Sequence, residues 1–505
     1  MKKGKLYCYL VIFIILGMCF SSHAQVDNTY VNKRHYEPNW ESLSQWNVPQ
    51  WYDNAVLGIY CHWGVYSVPG FVFTDPSERI DSGLWYGAEM YNTENVYGVY
   101  QYHLKTYGDP CEFGYKDFIP LFKAEKWDPD SWAQFFKSIG TDFAGLAAEH
   151  GDGFCLWDTD YDKFNAADMG PKRDLLGDLF QAVRKEGMRT VVTFHKGTGS
   201  IYTHGITLCP DGMDVNNPEY ADLYGPTTSA ELNKKLIEVV DKYQPDQMWF
   251  EDGAPEVYGV EDYKKFIAYY YNQAIKWGKD VMVTHKGESL PLSCSALDIE
   301  GGIFPNGIWV WAGVTEPQKQ RWQKDVPIGN FWAYAEGVGC RPVNMLVDGI
   351  VDRISKNGVT LLDVAPKADG TLPEAQIEGL KKLGEWMSIN KEALYAAKPA
   401  PFVKGGSDDW SFGSIRFTEK GDYLYAIELG NEWPTKLGFA DYEDSKPPSV
   451  PYIIPGVKPI EDSDILMLGS KKILPWHQEG DDLVIEELPD PLPCDYAWSF
   501  KIKVH

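Results

Sequence analysis

Phe143-Ala144-Gly145-Leu146-Ala147-Ala148-Glu149-His150-Gly151-Asp152-Gly153-Phe154 is a short apolar run that breaks abruptly into ionisable side chains and glycine. A run of that length between turn signals reads as a buried strand, and its polar end as a strand terminus. The pattern recurs along the chain. Residues 57–61 end in His62-Trp63-Gly64, residues 189–194 in His195-Lys196-Gly197, residues 247–250 in Glu251-Asp252-Gly253, and residues 281–283 lead into His285-Lys286-Gly287. A further apolar run covers 360–364. Between the runs, 175–186 and 229–243 carry Leu, Val and Ile at helical spacing and stop at Glu186-Gly187 and Gln244-Pro245. Alternation of this kind from Trp51 to about Pro399 predicts βα units around a parallel sheet. Its length, and the lack of a GxGxxG turn after any strand, favour a (β/α)8-like barrel with long loops over a dinucleotide-binding sheet.

The pattern changes after Pro399-Ala400-Pro401 to short alternating strands, at 424–429, 465–468 and 483–485, which predict a C-terminal β-sandwich. Ahead of the barrel, Lys2, Lys3 and Lys5 precede an apolar run over 6–20 and then Ser22-His23-Ala24, which reads as an export signal. The expected organisation is a signal peptide over 1–24, a catalytic barrel over 25–398 and a sandwich over 399–505. Export would place the mature chain outside the cell or in a periplasm. The early apolar run is short for a membrane span, and no other window approaches one, so no membrane insertion is expected. The seven cysteines beyond the signal are odd in number and widely spaced. They form no disulfide framework and no CxxC metal site, although one or two bridges are left open.

With 47 basic and 72 acidic residues, the chain carries a formal charge of −25, which excludes nucleic acid as a main ligand because phosphate binding needs Lys and Arg to replace counterions. Aromatic residues reach 14%, which suits either sugar faces or a large core. In a parallel barrel the chemistry sits where the strands end. Five strand ends offering His or a carboxylate are hard to assign to packing, since a buried ionisable group is costly unless paired. Carboxylates, His and Trp without a Walker loop or GxSxG elbow fit glycoside hydrolysis. Zinc held by His62, His150 and His195 is the competing chemistry, disfavoured by the absence of an HxH or HExxH pair.

At these residues the chain resembles glycoside hydrolase family 29, the α-L-fucosidases. The matching stretches run from Gly58 to Pro69, Leu84 to Tyr91 and Ala148 to Trp157, then Lys172-Arg173-Asp174, Tyr243 to Trp249, and Asn357 to Pro366 with Asp369-Gly370. The resemblance implies a retaining exo-hydrolase of terminal α-L-fucose or a close L-sugar, acting on oligo- or polysaccharides with no metal and no organic cofactor. Self-association is left open. The family's nucleophile follows the fourth-strand Trp in a Trp-x-Asp pattern. That slot holds Glu251 here, on the same strand face as Trp249, with Asp252 next to it as the alternative if a bulge re-aims it. The acid/base position maps to Glu300, with Glu288 and Glu316 as substitutes. Trp309, Trp311 and Trp332 could supply the apolar wall that a general acid needs. His62, Trp85 and His150 match sugar-binding positions and Trp249 and Trp332 the wall facing C6. Trp63, Tyr86, His195 and Lys286 complete the substrate-contacting set.

Besides the nucleophile slot, where Glu251 replaces Asp, three others depart from the family pattern. Gly151 stands where a second His is usual, Glu149 where Lys is common, and His285-Lys286 where an Asp-Arg pair is usual. Lys offers a point charge and lacks the planar fork of Arg. These changes leave open an α-L-galactosidase acting on algal galactan by the same mechanism, with Lys286, Glu149 or the room beside Gly151 serving an extra C6 hydroxyl. They also leave open a carbohydrate-binding barrel without turnover.

Overall fold

The computed structural model describes residues 35–75, 79–94, 96–195, 209, 228–251, 259–286, 290–299, 314, 316–400, 414–430 and 444–504. Eight parallel strands close into a barrel in chain order. They are β1 Leu57–Cys61, β2 Phe143–Glu149, β3 Arg189–Phe194, β4 Gln247–Phe250, β5 Met282–Lys286, β6 Ala296–Asp298, β7 Trp322–Pro327 and β8 Gly358–Val364. Helices α1 Pro129–Ile139, α2 Leu175–Lys185, α3 Ser229–Tyr243, α4 Val260–Trp277, α5 Val343–Ser355 and α6 Glu374–Leu394 follow β1, β2, β3, β4, β7 and β8. Their starts are written in the sequence. Asp128 accepts the amide N–H groups of Asp130 and Ser131 ahead of α1, and Thr228 with Glu231 forms a reciprocal capping box ahead of α3.

The strands expected from the apolar runs are present, some longer than expected at their polar ends. Two were not anticipated. β6 has only three residues, and β7 reads Trp-Gln-Lys-Asp-Val-Pro, with Gln323, Lys324 and Asp325 all buried. Close strand approach explains Gly145, since a Cβ there would lie 1.5 Å from the carbonyl oxygen of Val191. A register shift between Ala147 and Glu149 against β3 bulges the end of β2 and re-aims the residues that follow.

Beyond the barrel, β9 Lys398–Pro399, β10 Ile415–Lys420, β11 Tyr423–Glu428, β13 Leu466–Met467 and β16 Trp498–Lys503 form one sheet in the order β13-β16-β11-β10-β9. A second sheet has β12 Tyr452–Ile454, β15 Asp482–Ile485 and β14 Trp476–Glu479. They share one apolar cluster that includes Phe417, Leu424, Ile454, Leu483, Ile485 and Phe500. Tyr452 stacks on Phe500 across the two sheets at 5.0 Å. The expected C-terminal β-sandwich is thus in place. A disulfide joins Cys111 to Cys209, 98 residues apart, and is one of the bridges the cysteine count left open. No helix among the described residues is long and apolar enough to cross a membrane.

The sandwich is clamped to the barrel by buried charge. Arg416 on β10 donates from Nε to Asp352 on α5 at 2.8 Å, and Lys356 reaches the same carboxylate at 2.9 Å. Burial opposes ionisation of Asp352, but Lys356 and Arg416 outweigh it and lower its pKa. Trp386 on α6 donates its indole N–H to the carbonyl of Ala497 at 2.9 Å. Arg416→Met should therefore cost about 2 kcal/mol, the scale of one buried charged hydrogen bond. The expected result is a lower unfolding midpoint with kcat/KM unchanged in the folded fraction. A loss of kcat/KM at full folding would show that the clamp also shapes the active site.

Candidate active site

The carboxyl ends of the barrel strands open into a cleft of about 260 Å³ lined by His62, Asp81, Leu84, Trp85, His150, His195, Glu251, Lys286, Asp325 and Trp332. His62, His150, His195 and Glu251 stand at or just past the ends of β1 to β4, while Lys286 ends β5 and Asp325 lies within β7. The loop between β1 and β2 brings Asp81, Leu84 and Trp85. The segment after β7 is pinned to that loop, because the Trp332 amide donates to the Ile80 carbonyl at 3.0 Å and Ala333 bridges His62.

Glu251 is the focus of the cleft. Lys286 Nζ lies 2.7 Å from its Oε1, and His195 Nδ1 lies 2.8 Å from its Oε2. Burial alone would raise its pKa, but Lys286 and His195 overcome that and hold the carboxyl well below the usual range. It is therefore an anion at neutral pH with about a third of its side chain, 34%, still open to the cleft. Lys286 is shared, with Asp325 Oδ2 3.5 Å away. Burial, then the Asp298 carboxylate, push Asp325 up to about 7, and the Tyr60 hydroxyl donates to it at 3.3 Å.

The imidazoles are held neutral. Burial and Lys286 lower His62 to about 3, and burial lowers His195 to about 4 and His150 well below its ordinary value. Asp363 Oδ1 fixes His62 by accepting its backbone N–H at 2.9 Å and lying 3.0 Å from Nδ1. His195 Nε2 lies 2.7 Å from the Thr193 hydroxyl. The ring of Trp85 meets His150 edge-on at 5.5 Å, and Trp332 meets His62 at 5.7 Å. Neutral rings, an anion and apolar indole faces suit a ring of hydroxyl groups with one electrophilic carbon.

Of the substrate-contacting residues expected from sequence, His62, Trp85, His150, His195, Lys286 and Trp332 line this cleft together with Glu251. Trp63, Tyr86 and Trp249 do not. Trp63 is fully buried against Phe122, Trp127 and Trp132, and Tyr86 bonds the ring of His103 at 3.0 Å. Trp249 lies beneath the cleft floor. Its ring is covered by His195 at 4.6 Å and by the Lys286 ammonium at 4.9 Å, and its N–H donates to Asp298 at 2.8 Å. Glu149, weighed as a partner for an extra hydroxyl, turns the other way and meets Lys235 of α3 at 2.9 Å. Asp252, Glu300, Glu288, Trp309 and Trp311 lie outside the described residues, as does the expected signal segment. Asp81 and Asp325 were not anticipated. Asp363 belonged to a matched stretch without a role, and it is the anchor of His62.

Residues 23–392 match the family model described as alpha-L-fucosidase. The fucose complex of Thermotoga maritima alpha-fucosidase superposes with a TM-score of 0.71 at 31% identity, covering 92% of this chain and 100% of that one. Tissue alpha-L-fucosidase of Bos taurus is 29% identical over 514 residues, spanning 99% of this chain and 98% of its own. Alpha-L-fucosidase of Branchiostoma floridae is 26% identical over 513 residues, with 98% and 99% covered.

Proposed function

The chain belongs to the α-L-fucosidase family of glycoside hydrolases, and on that footing we propose that it releases terminal α-L-fucose from oligo- or polysaccharides with retention at the anomeric carbon. The observation that carries this reading is the Glu251 carboxylate, ionised and directed at the cleft between His195 and Lys286. In the proposed sequence a Glu251 oxygen attacks C1 as the aglycone oxygen leaves with a proton from Glu300, the first residue after Ile299 at the end of β6. Water then attacks C1 from the face the aglycone left, gives its proton to Glu300, and frees the carboxylate. A carboxyl kept weakly basic by Lys286 is a good leaving group in that second step. His62, His150 and His195 would hold sugar hydroxyls, with Trp85 and Trp332 against the C–H faces.

A second glycone has one observation in its favour. Asp81 and Asp325 add carboxyl groups to the cleft, while Trp249, expected on the wall facing C6, is absent from its lining. A polar group beside C6 would favour α-L-galactosides, since a site built to bond a hydroxyl discriminates by ~10⁴-fold against the sugar lacking it. Matched aryl α-L-fucoside and α-L-galactoside assays decide this. The fucosidase reading expects a higher kcat/KM for the fucoside and an α-configured first product by NMR. A galactoside preference beyond about tenfold, roughly 1.4 kcal/mol, overturns the glycone assignment, and an inverted product overturns the mechanism.

We also propose export directed by residues 1–24. The Cys111–Cys209 disulfide supports that reading, since such bridges persist in oxidising compartments.

A further inference from the structure

We propose that His62, His150 and His195 form an inhibitory site for a zinc-class divalent ion, and that an ion bound there excludes the sugar. One nitrogen of each ring lies within 4.8 Å of the others, and the ring centroids are 4.7, 5.1 and 5.4 Å apart. Tetrahedral zinc with bonds of about 2.0–2.1 Å to imidazole holds neighbouring nitrogens roughly 3.3 Å apart. The rings therefore need to close by at most about 1.5 Å to meet that geometry. Each ring follows a different strand, so small movements of three strand ends suffice.

Two observations point to a metal ligand set. His150 is buried, and its Nδ1 has no hydrogen-bond partner. His62 and His195 each have Nδ1 backed by a carboxylate, Asp363 at 3.0 Å and Glu251 at 2.8 Å, the arrangement that fixes metal-bound imidazoles and raises their basicity. With Nδ1 kept on Glu251, ligation by His195 would exchange the Nε2 bond to Thr193. Lys286 lines the same cleft, but it is paired with Glu251, and Asp81 and Asp325 add further negative charge. The other metal-like group, Glu149, Cys155 and Asp162, already surrounds a cation. Lys235 Nζ stands 2.9, 3.5 and 2.7 Å from them.

Mutual exclusion with sugar rests on the glycosidase reading; zinc binding itself does not. The test is calorimetric titration of the chelator-treated full chain with zinc chloride. One zinc per chain is expected, with affinity reduced roughly tenfold or more in His150→Ala, the scale for disturbing a metal site, and unchanged in Cys155→Ser. On an aryl fucoside, zinc should raise KM without lowering kcat, and EDTA should reverse the effect. Cobalt added to the unaltered protein should give the intense visible bands of a four-coordinate nitrogen site, lost on addition of L-fucose. Absence of saturable binding, binding that survives His150→Ala, or a fall in kcat at constant KM would overturn the site. Binding that needs His150 but ignores L-fucose would support the ion site and count against the sugar reading.

Discussion

Glu251→Ala should lower kcat/KM on an aryl α-L-fucoside by about 10⁴-fold or more, roughly 5.4 kcal/mol of transition-state stabilisation. The variant should fold, because the neighbours it leaves are His195, which is neutral, and Lys286, which keeps Asp325 at 3.5 Å. Removing the carboxylate opens room at the anomeric carbon for a small anion beside a retained cation. Azide should accordingly restore turnover and give the glycosyl azide of inverted configuration, since only one displacement then occurs. If Asp252→Ala shows that rescue and Glu251→Ala does not, the attacking residue is one position further along the chain.

Lys286→Met is expected to have the second largest effect, a loss of about 10²–10³-fold in kcat/KM, the scale for removing one preorganised electrostatic partner. The sign of its pH effect follows from the ion pair. Lys286 favours the ionised form of Glu251, so its removal raises that pKa and the acid limb of the kcat/KM profile moves to higher pH. Asp325 loses the same cation and rises further above its ordinary value. Lys286→Arg keeps the charge and should keep the acid limb near its original position even where the bulk of the guanidinium lowers the rate. An acid limb indifferent to Lys286→Met would mean that the ion pair does not set the ionisation of the nucleophile.

The legible parts of this fold are those where burial and sequence pattern coincide. β1 is apolar and β3 has Val191, Val192 and Phe194 among its buried residues, so their bounds follow from the runs at 57–61 and 189–194, and the polar residues that follow them mark the cleft. β7 is hidden because its interior is polar. Gln323 donates to Asp298 at 2.5 Å, and Asp325 meets Lys286 and Tyr60, so hydrogen bonding inside the barrel replaces the apolar signal a strand usually carries. The same polar interior hides Asp325 as a site residue in the sequence. Side-chain direction is likewise hidden in the sequence. Glu149 and His150 are adjacent at a strand end and point opposite ways, one to Lys235 and the other to the cleft, and the register shift beside Ala147 changes which of them faces inward. Trp249 shares the inner face of β4 but lies a layer deeper, with Lys286 and His195 laid over it. Composition and spacing carry no information about which layer of a barrel a residue fills.

Glu251 as nucleophile is tested most directly by trapping the glycosyl-enzyme with an activated 2-deoxy-2-fluoro-α-L-fucoside and mapping the label by peptide mass spectrometry. The fluorine slows both displacements, and the activated leaving group keeps the first fast enough for the ester to accumulate. One fucosyl ester per chain is expected, on Glu251, formed with loss of activity and released slowly by water. A label on Asp252, or steady turnover to an inverted product with no labelled peptide, would contradict it.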